Sequence, residues 1–251
     1  MDIISKITNS RNIILEILNE YDWDVSNVPI LSNLEIEKLY NLDNKNNKLS
    51  SLGYGIGCNF DVKHKLIPSH ILKIIYYNFP EGEIKGAKVT NGLIKKIINL
   101  YKSDDSIFNN DDSLLILLNE NINDTIININ NSLNILLQEN YNGPSKIIKD
   151  EMNKSNIHLS NQFFRNIQIF NIMTFQNNLL KHNLVPQHIP IRNKDEIEKI
   201  FNSCNATREQ FPIISKSDSI AKIIRLIPGD ICKIIRINKT CGKYIYYRIC
   251  K

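Results

Sequence analysis

His182-Asn183-Leu184-Val185-Pro186-Gln187-His188 opens a 70-residue stretch that closes on two apolar runs. The first is Gly229-Asp230-Ile231-Cys232-Lys233-Ile234-Ile235-Arg236, and the second is Thr240-Cys241-Gly242-Lys243-Tyr244-Ile245-Tyr246-Tyr247-Arg248-Ile249-Cys250-Lys251. Pro228-Gly229 ahead of them is a turn signal, with Pro at its second position and Gly at its third. Ile231–Ile237 and Lys243–Ile249 then read as a hairpin around a Gly-containing loop. On the second strand Tyr244, Tyr246 and Arg248 share one face, and Ile245, Tyr247 and Ile249 the other. A sequence that stops inside a strand is expected to have that end built into the structure.

Upstream of the hairpin the period changes. Asn193 to Phe201 is an amphipathic helix with acidic residues in its first turn, which favours the helix dipole. A second helix is predicted from Ala206 and a third from Ser217 to Leu226, with Asp218 near its start. Residues 182–251 therefore read as a small α+β module near the minimum size for independent folding.

These residues carry a resemblance. Leu184 to His188, Phe211-Pro212-Ile213-Ile214, Asp218 at a helix start, Gly229 and Ile231 to Arg236 follow in order, and then Thr240, Gly242, Lys243, Tyr244, Tyr247, Arg248 and Cys250. The series resembles the C-terminal assembly domain of the fifth common subunit of eukaryotic nuclear RNA polymerases, together with the archaeal relative of that subunit. Three positions depart from that pattern: Ser219 stands where Pro is usual, Arg225 where Gly is usual, and Ile213 where a basic residue is usual.

The resemblance implies a non-catalytic subunit of a DNA-directed RNA polymerase, with no cofactor and no metal of its own. Partner-docking residues would be Pro186, His188, Pro212, Asp218, Gly229, Arg236, Gly242, Tyr244, Tyr247 and Arg248. They would meet the largest polymerase subunit and its neighbours. Tyr and Arg are favoured anchors of protein interfaces. The same strand also reads as plain core, and Lys233, Arg236, Lys239 and Lys243 as trackers of phosphates.

Residues 1–181 read as a separate α/β domain. Ser10 to Tyr21 is an amphipathic helix with Ser10 as its cap, and Leu34 to Leu42 is a second. Ile71–Phe79 and Ser113–Leu118 are strands, and Thr90–Tyr101 is a helix. Ser132–Gln138 is a strand or a short helical piece, and Pro144–Asn153 is a helix. Phe163–Phe170 with Met173–Phe175 is a last strand. This part more weakly resembles the jaw domain of the same subunit, a truncated nuclease-like α/β fold, which implies a place near downstream duplex DNA.

Other constellations compete for residues of this domain. Asp61 with Glu83-Ile84-Lys85 fits the loose pattern of Mg²⁺-dependent nucleases, although a solvated turn pair explains it equally. Two similar runs, His64-Lys65-Leu66-Ile67-Pro68-Ser69-His70 and His182 to His188, hold four histidines without a zinc-type spacing. Gly53, Gly55 and Gly57 mimic a phosphate loop or a hinge.

Composition bounds the rest. Hydrophobic residues at 42% and charged residues at 23% are those of a globular protein. The surplus of Asn, Ile and Lys reflects adenine/thymine-rich codons and points to a protist or a large DNA virus. A viral source would imply a cytoplasmic factory and the virion, and a cellular source the nucleus. Five scattered cysteines without CxxC read as free thiols. No apolar run nears the ~18 residues of a membrane span. Residues 182–251 hold 13 Lys/Arg against 6 Asp/Glu, a surplus of +7 in a chain of net +5. A stand-alone basic DNA-binding adaptor therefore stays open beside the polymerase reading.

Overall fold

The computed structural model describes residues 2–42, 49, 52–81, 88–102, 107–139, 141–238 and 242–251. The chain divides into two compact units, Met1–Gly143 with Arg165–Asn177, and Pro144–Phe164 with Asn178–Lys251. The segment 144–164 thus groups with the C-terminal unit, although it lies on the N-terminal side of a boundary at 181/182.

The first unit holds helices α1 (Ile3–Glu20), α2 (Asn33–Tyr40), α3 (Gly92–Lys102) and α4 (Asp124–Glu139). Its sheet runs in the order β1 (Trp23–Asp24), β2 (Phe60–His64), β3 (Ile71–Tyr77), β4 (Ser113–Leu118), β5 (Ile167–Asn171). The first two pairings are antiparallel and the last two parallel. Parallel neighbours need crossovers, and α3 and α4 lie in them. All six residues of β4 are buried, as a strand covered on both faces requires. Leu93 and Ile97 of α3 and Ile129, Leu133 and Leu137 of α4 pack with Ile75, Leu114, Ile116 and Ile169. Tyr76, next to Ile75, points to the opposite face and meets Ser10 of α1 at 3.1 Å.

That contact corrects the expected cap. α1 starts at Ile3, with Asp2 accepting from the Ile3 amide at 2.7 Å, and Ser10 is buried mid-helix. Ser132–Gln138 is neither a strand nor a fragment but part of the continuous α4. Its buried residues Ile126, Ile129, Leu133 and Leu137 keep helical spacing, which the intervening asparagines disguise. The last strand is only Ile167–Asn171, because Asn171 caps a 3-10 turn over Ile172–Phe175. β2 alternates buried and exposed residues, the period-two pattern of a half-covered strand. Gly53 and Gly55 adopt φ of +91° and +86°, and a Cβ on Gly55 would meet Phe79 Cβ at 3.3 Å. They serve a packed turn against the end of β3, neither a phosphate loop nor a hinge.

The second unit contains α5 (Lys146–Lys154), β6 (Gln187–Ile191), α6 (Lys194–Cys204), β7 (Ile213–Ile214), α7 (Ser219–Ile223), β8 (Ile231–Asn238) and β9 (Gly242–Cys250). The sheet order is β6-β8-β9-β7. β6 and β9 run antiparallel to β8, and β7 parallel to β9. Ile197 and Ile200 of α6 pack with Ile191, Phe211, Ile231 and Ile249. The helix expected from Ala206 is only a turn closed by Gln210 N–H to the Thr207 carbonyl. α7 keeps five residues of the predicted Ser217–Leu226 helix. Residues 155–158 flank the end of β6: Ile157 bridges Asn193, and the His158 amide donates to the Arg192 carbonyl at 2.6 Å.

Asp230, wholly buried, gathers the unit. Its carboxylate accepts from Arg192 Nη2 at 2.9 Å and from the Ile227 amide at 3.3 Å. Its own carbonyl accepts from Cys250 N–H at 2.9 Å. Burial pushes the Asp230 pKa up, and Arg192 works against that shift.

Two outcomes are expected. Arg192→Met leaves a buried carboxylate without its counter-charge and destabilises the protein by about 3 kcal/mol near pH 7. An acid with a raised folded-state pKa favours the fold below its unfolded pKa, and this contribution is lost as pH rises through the folded pKa. The deficit of the variant therefore shrinks as pH falls towards about 4, which urea denaturation across pH measures. Ser10→Ala strips a partner from the buried Tyr76 hydroxyl and lowers stability by about 1 kcal/mol in the same assay.

Candidate docking surface

The β8–β9 hairpin is built unevenly. Residues directly opposite one another share a face, so Ile231, Ile249, Lys233, Tyr247, Ile235 and Ile245 line one side. Cys232, Arg248, Ile234, Tyr246, Arg236 and Tyr244 line the other. At the base both sides are covered. Ile231 and Ile249 join the α6 core, and Cys232, Ile234 and Cys250 are buried on the other side. Burial raises the Cys232 and Cys250 thiols to about 12, which makes them packing groups and not nucleophiles.

Towards the loop the cover ends. Ile237 is 86% exposed, Ile245 47% and Tyr244 38%. On the Tyr244 side the Tyr244 and Tyr246 rings stack at 6.2 Å. The Arg236 guanidinium lies 4.8 Å from the Tyr246 ring centre and that of Arg248 5.6 Å. Both arginines thus lie against the Tyr246 ring, which also stacks on Tyr244, a cation–π arrangement that orders long side chains in advance of a partner.

The ten sequence-predicted docking residues divide by exposure. Pro212, Asp218, Arg236, Gly242 and Tyr244 are exposed, and Pro186, Gly229, Tyr247 and Arg248 half-buried. His188 is buried, its Nδ1 on the Pro186 carbonyl at 2.6 Å. Burial lowers its pKa, with the Pro186 carbonyl opposing. Tyr247 packs on the α6 core. Asp218 caps α7 by accepting from the Ile220 and Ala221 amides. Gly229, at φ +98°, supplies the turn that Pro228 begins.

The three departures acquire physical meaning. Ser219 is the first residue of α7, directly after the cap, a position that favours proline. Arg225 has φ +56°, where glycine is at ease and another residue is strained by about 1 kcal/mol. Ile213 is an exposed edge residue of β7, so an apolar group replaces a charge on an open edge.

Arg192 and Asp230 were not singled out by sequence reasoning. Their signal, one Arg and one Asp 38 residues apart, has no period to betray it. Asp61 pairs with Lys73 at 2.9 Å, while Glu83 and Lys85 lie outside the described residues. Among the described residues no three His, Cys, Asp or Glu side chains converge as metal ligands. The two His runs share a turn: His64 Nδ1 accepts from the Leu66 amide and His182 Nδ1 from the Leu184 amide, each at 3.2 Å. Their likeness is that of one local hydrogen-bond motif used twice.

Comparison with known proteins bears on the unit that holds the hairpin. Residues 177–250 match the family described as RNA polymerase Rpb5, C-terminal domain. The "DNA-directed RNA polymerase subunit Rpo5" of Methanococcoides burtonii is 40% identical over 70 residues, 28% of this chain and 88% of that protein. Its counterpart in Methanothermobacter thermautotrophicus is 41% identical over 71 residues, 28% of this chain and 91% of that protein. The "DNA-directed RNA polymerases I, II, and III subunit rpabc1" of Dictyostelium discoideum is 32% identical over 84 residues, 34% of this chain and 42% of that protein. With nearly the whole length of the archaeal subunits spanned at such identity, the chain belongs to the Rpb5/Rpo5 family of RNA polymerase subunits.

Proposed function

We propose that this chain is a non-catalytic subunit of a multisubunit DNA-directed RNA polymerase, with residues 182–251 as its assembly domain and 1–181 as its jaw, apart from 144–164, which groups with the assembly domain. The assembly domain docks on the largest subunit, and the jaw lies beside downstream duplex DNA. Phosphodiester chemistry belongs to other subunits. The observation that carries this reading is the near-complete span of the archaeal Rpo5 sequences by this chain's C-terminal part. The exposed end of the hairpin supports it physically, since stacked tyrosines beside arginines are the chemistry of interface anchors.

The jaw reading draws on element order: an opening helix, the Phe79-Pro80-Glu81 turn, a helix at 92–102 and a strand at 167–171. The Asn, Ile and Lys surplus supports a source with an adenine/thymine-rich genome. A large DNA virus is the source we carry, with its cytoplasmic factory and virion as the sites of the complex.

Purification of the tagged chain from its native source is expected to recover the two large polymerase subunits. Recovery of duplex DNA in salt-sensitive form without those subunits would instead make it a free DNA-binding adaptor. Within the complex, Arg236→Ala with Tyr244→Ala is expected to weaken assembly at least about tenfold while leaving the melting temperature unchanged, because both side chains are exposed. Tyr247→Ala is expected to lower stability by about 2 kcal/mol, since its ring belongs to the α6 core. Pull-down and thermal melting of both variants separate the two roles.

A further inference from the structure

Among the described residues, the outer edge of β9 is open over most of its length. Ile249 N–H donates to the Pro212 carbonyl and Lys251 N–H to the Ile214 carbonyl, whereas Cys250 N–H donates inwards to Asp230. Backbone groups alternate sides along a strand. Lys243, Ile245 and Tyr247 therefore direct their N–H and C=O groups to the same side as Ile249, away from β8. β7 pairs only with Ile249 and Cys250, so among the described residues no strand meets the three.

An open edge beside the exposed Ile245 is a template for unwanted pairing, and edges of this kind are normally blocked or covered. This edge also has a one-sided charge. The stretch from Ile231 to Cys250 contains Lys233, Arg236, Lys239, Lys243 and Arg248 and no acidic residue. Side chains of an added strand would alternate between the Arg236–Tyr246–Arg248 face and the Ile245–Tyr247 face.

We propose that an extended segment of the largest polymerase subunit, alternating acidic and apolar residues, adds as a further strand along Lys243–Tyr247 in line with β7. Its acidic side chains lie over Arg236, Arg248 and the Tyr244–Tyr246 stack, and its apolar ones against Ile245. Backbone pairing supplies affinity and the alternating side chains supply selectivity. The inference rests on the docking function proposed above and specifies how that docking is made.

The test is amide hydrogen exchange of the full chain, alone and in complex with the largest subunit. The amides of Lys243, Ile245 and Tyr247 are expected to slow at least about tenfold in the complex, while those of Tyr244 and Tyr246, already turned to β8, stay as they were. Arg236→Glu is expected to weaken the complex at least about tenfold with an unchanged melting temperature. A complex that forms with no protection at the three amides overturns strand addition and leaves the docking function standing. An unweakened Arg236→Glu complex overturns the acidic partner. The same protection produced by duplex DNA alone overturns the protein occupant. Failure of the two subunits to associate at all overturns the docking function, and this inference with it.

Discussion

The buried carboxylate of Asp230 is the constraint on which the C-terminal unit depends. Through its side chain it holds Arg192 at the end of β6 and the Ile227 amide in the preceding turn, and through its carbonyl it holds Cys250 in β9. The neighbouring Gly229 amide donates to the Cys250 carbonyl at 3.0 Å, and Arg208 reaches the Gly229 carbonyl at 3.3 Å. Strands far apart in sequence are thereby fixed in register at one point. A slip of one residue in β9 would exchange its two faces and bury Arg248 in place of Ile249. Charge burial is unfavourable by itself, and it is tolerated here because the pair and its amide partners leave few lone pairs unmet.

From that fixed base the hairpin runs outwards until its cover is lost. The same two strands are core at Ile231 and Ile249 and surface at Ile237 and Tyr244. The gradient makes a binding element from an ordinary ladder: the base supplies rigidity, and the far end presents apolar and cationic groups that the unit itself leaves uncovered. Ordering by cation–π and ring stacking lowers the entropy to be lost when a partner arrives.

Buried arginines play the corresponding part in the first unit. Arg11 of α1 lies with its guanidinium 4.2 Å from the Phe60 ring centre and donates to the Cys58 carbonyl at 3.3 Å. Arg165 sits between Tyr101 and Tyr141 and donates to the Asn110 carbonyl at 3.1 Å. Each satisfies loop carbonyls that no apolar side chain could. Desolvation lowers the pKa of both, and the facing aromatic rings and carbonyls offset part of that penalty.

Local patterns were legible where one interaction within a few residues decides the structure. The Pro228-Gly229 turn, the hairpin strands, β4 and α3 follow from turn chemistry and periodicity. The family pattern, too, was visible in residues 182–251. Errors arose where a distant partner overrode a local signal: Ser10 resembles a cap but faces Tyr76, and α4 hides its helical face among asparagines. The helix expected from Ala206 gave way to a turn after Asn205 took the left-handed conformation that ends α6. The sequence by itself determined the turn, the strand alternation and the basic, acid-free hairpin, because these depend on residue type and short spacing. Only the tertiary structure decided which of Tyr244 and Tyr247 is surface and which packs on the core, that 144–164 groups with the C-terminal unit, and that among the described residues β9 has an open edge. Those outcomes depend on which element covers which, a property of contacts between residues that spacing along the chain does not encode.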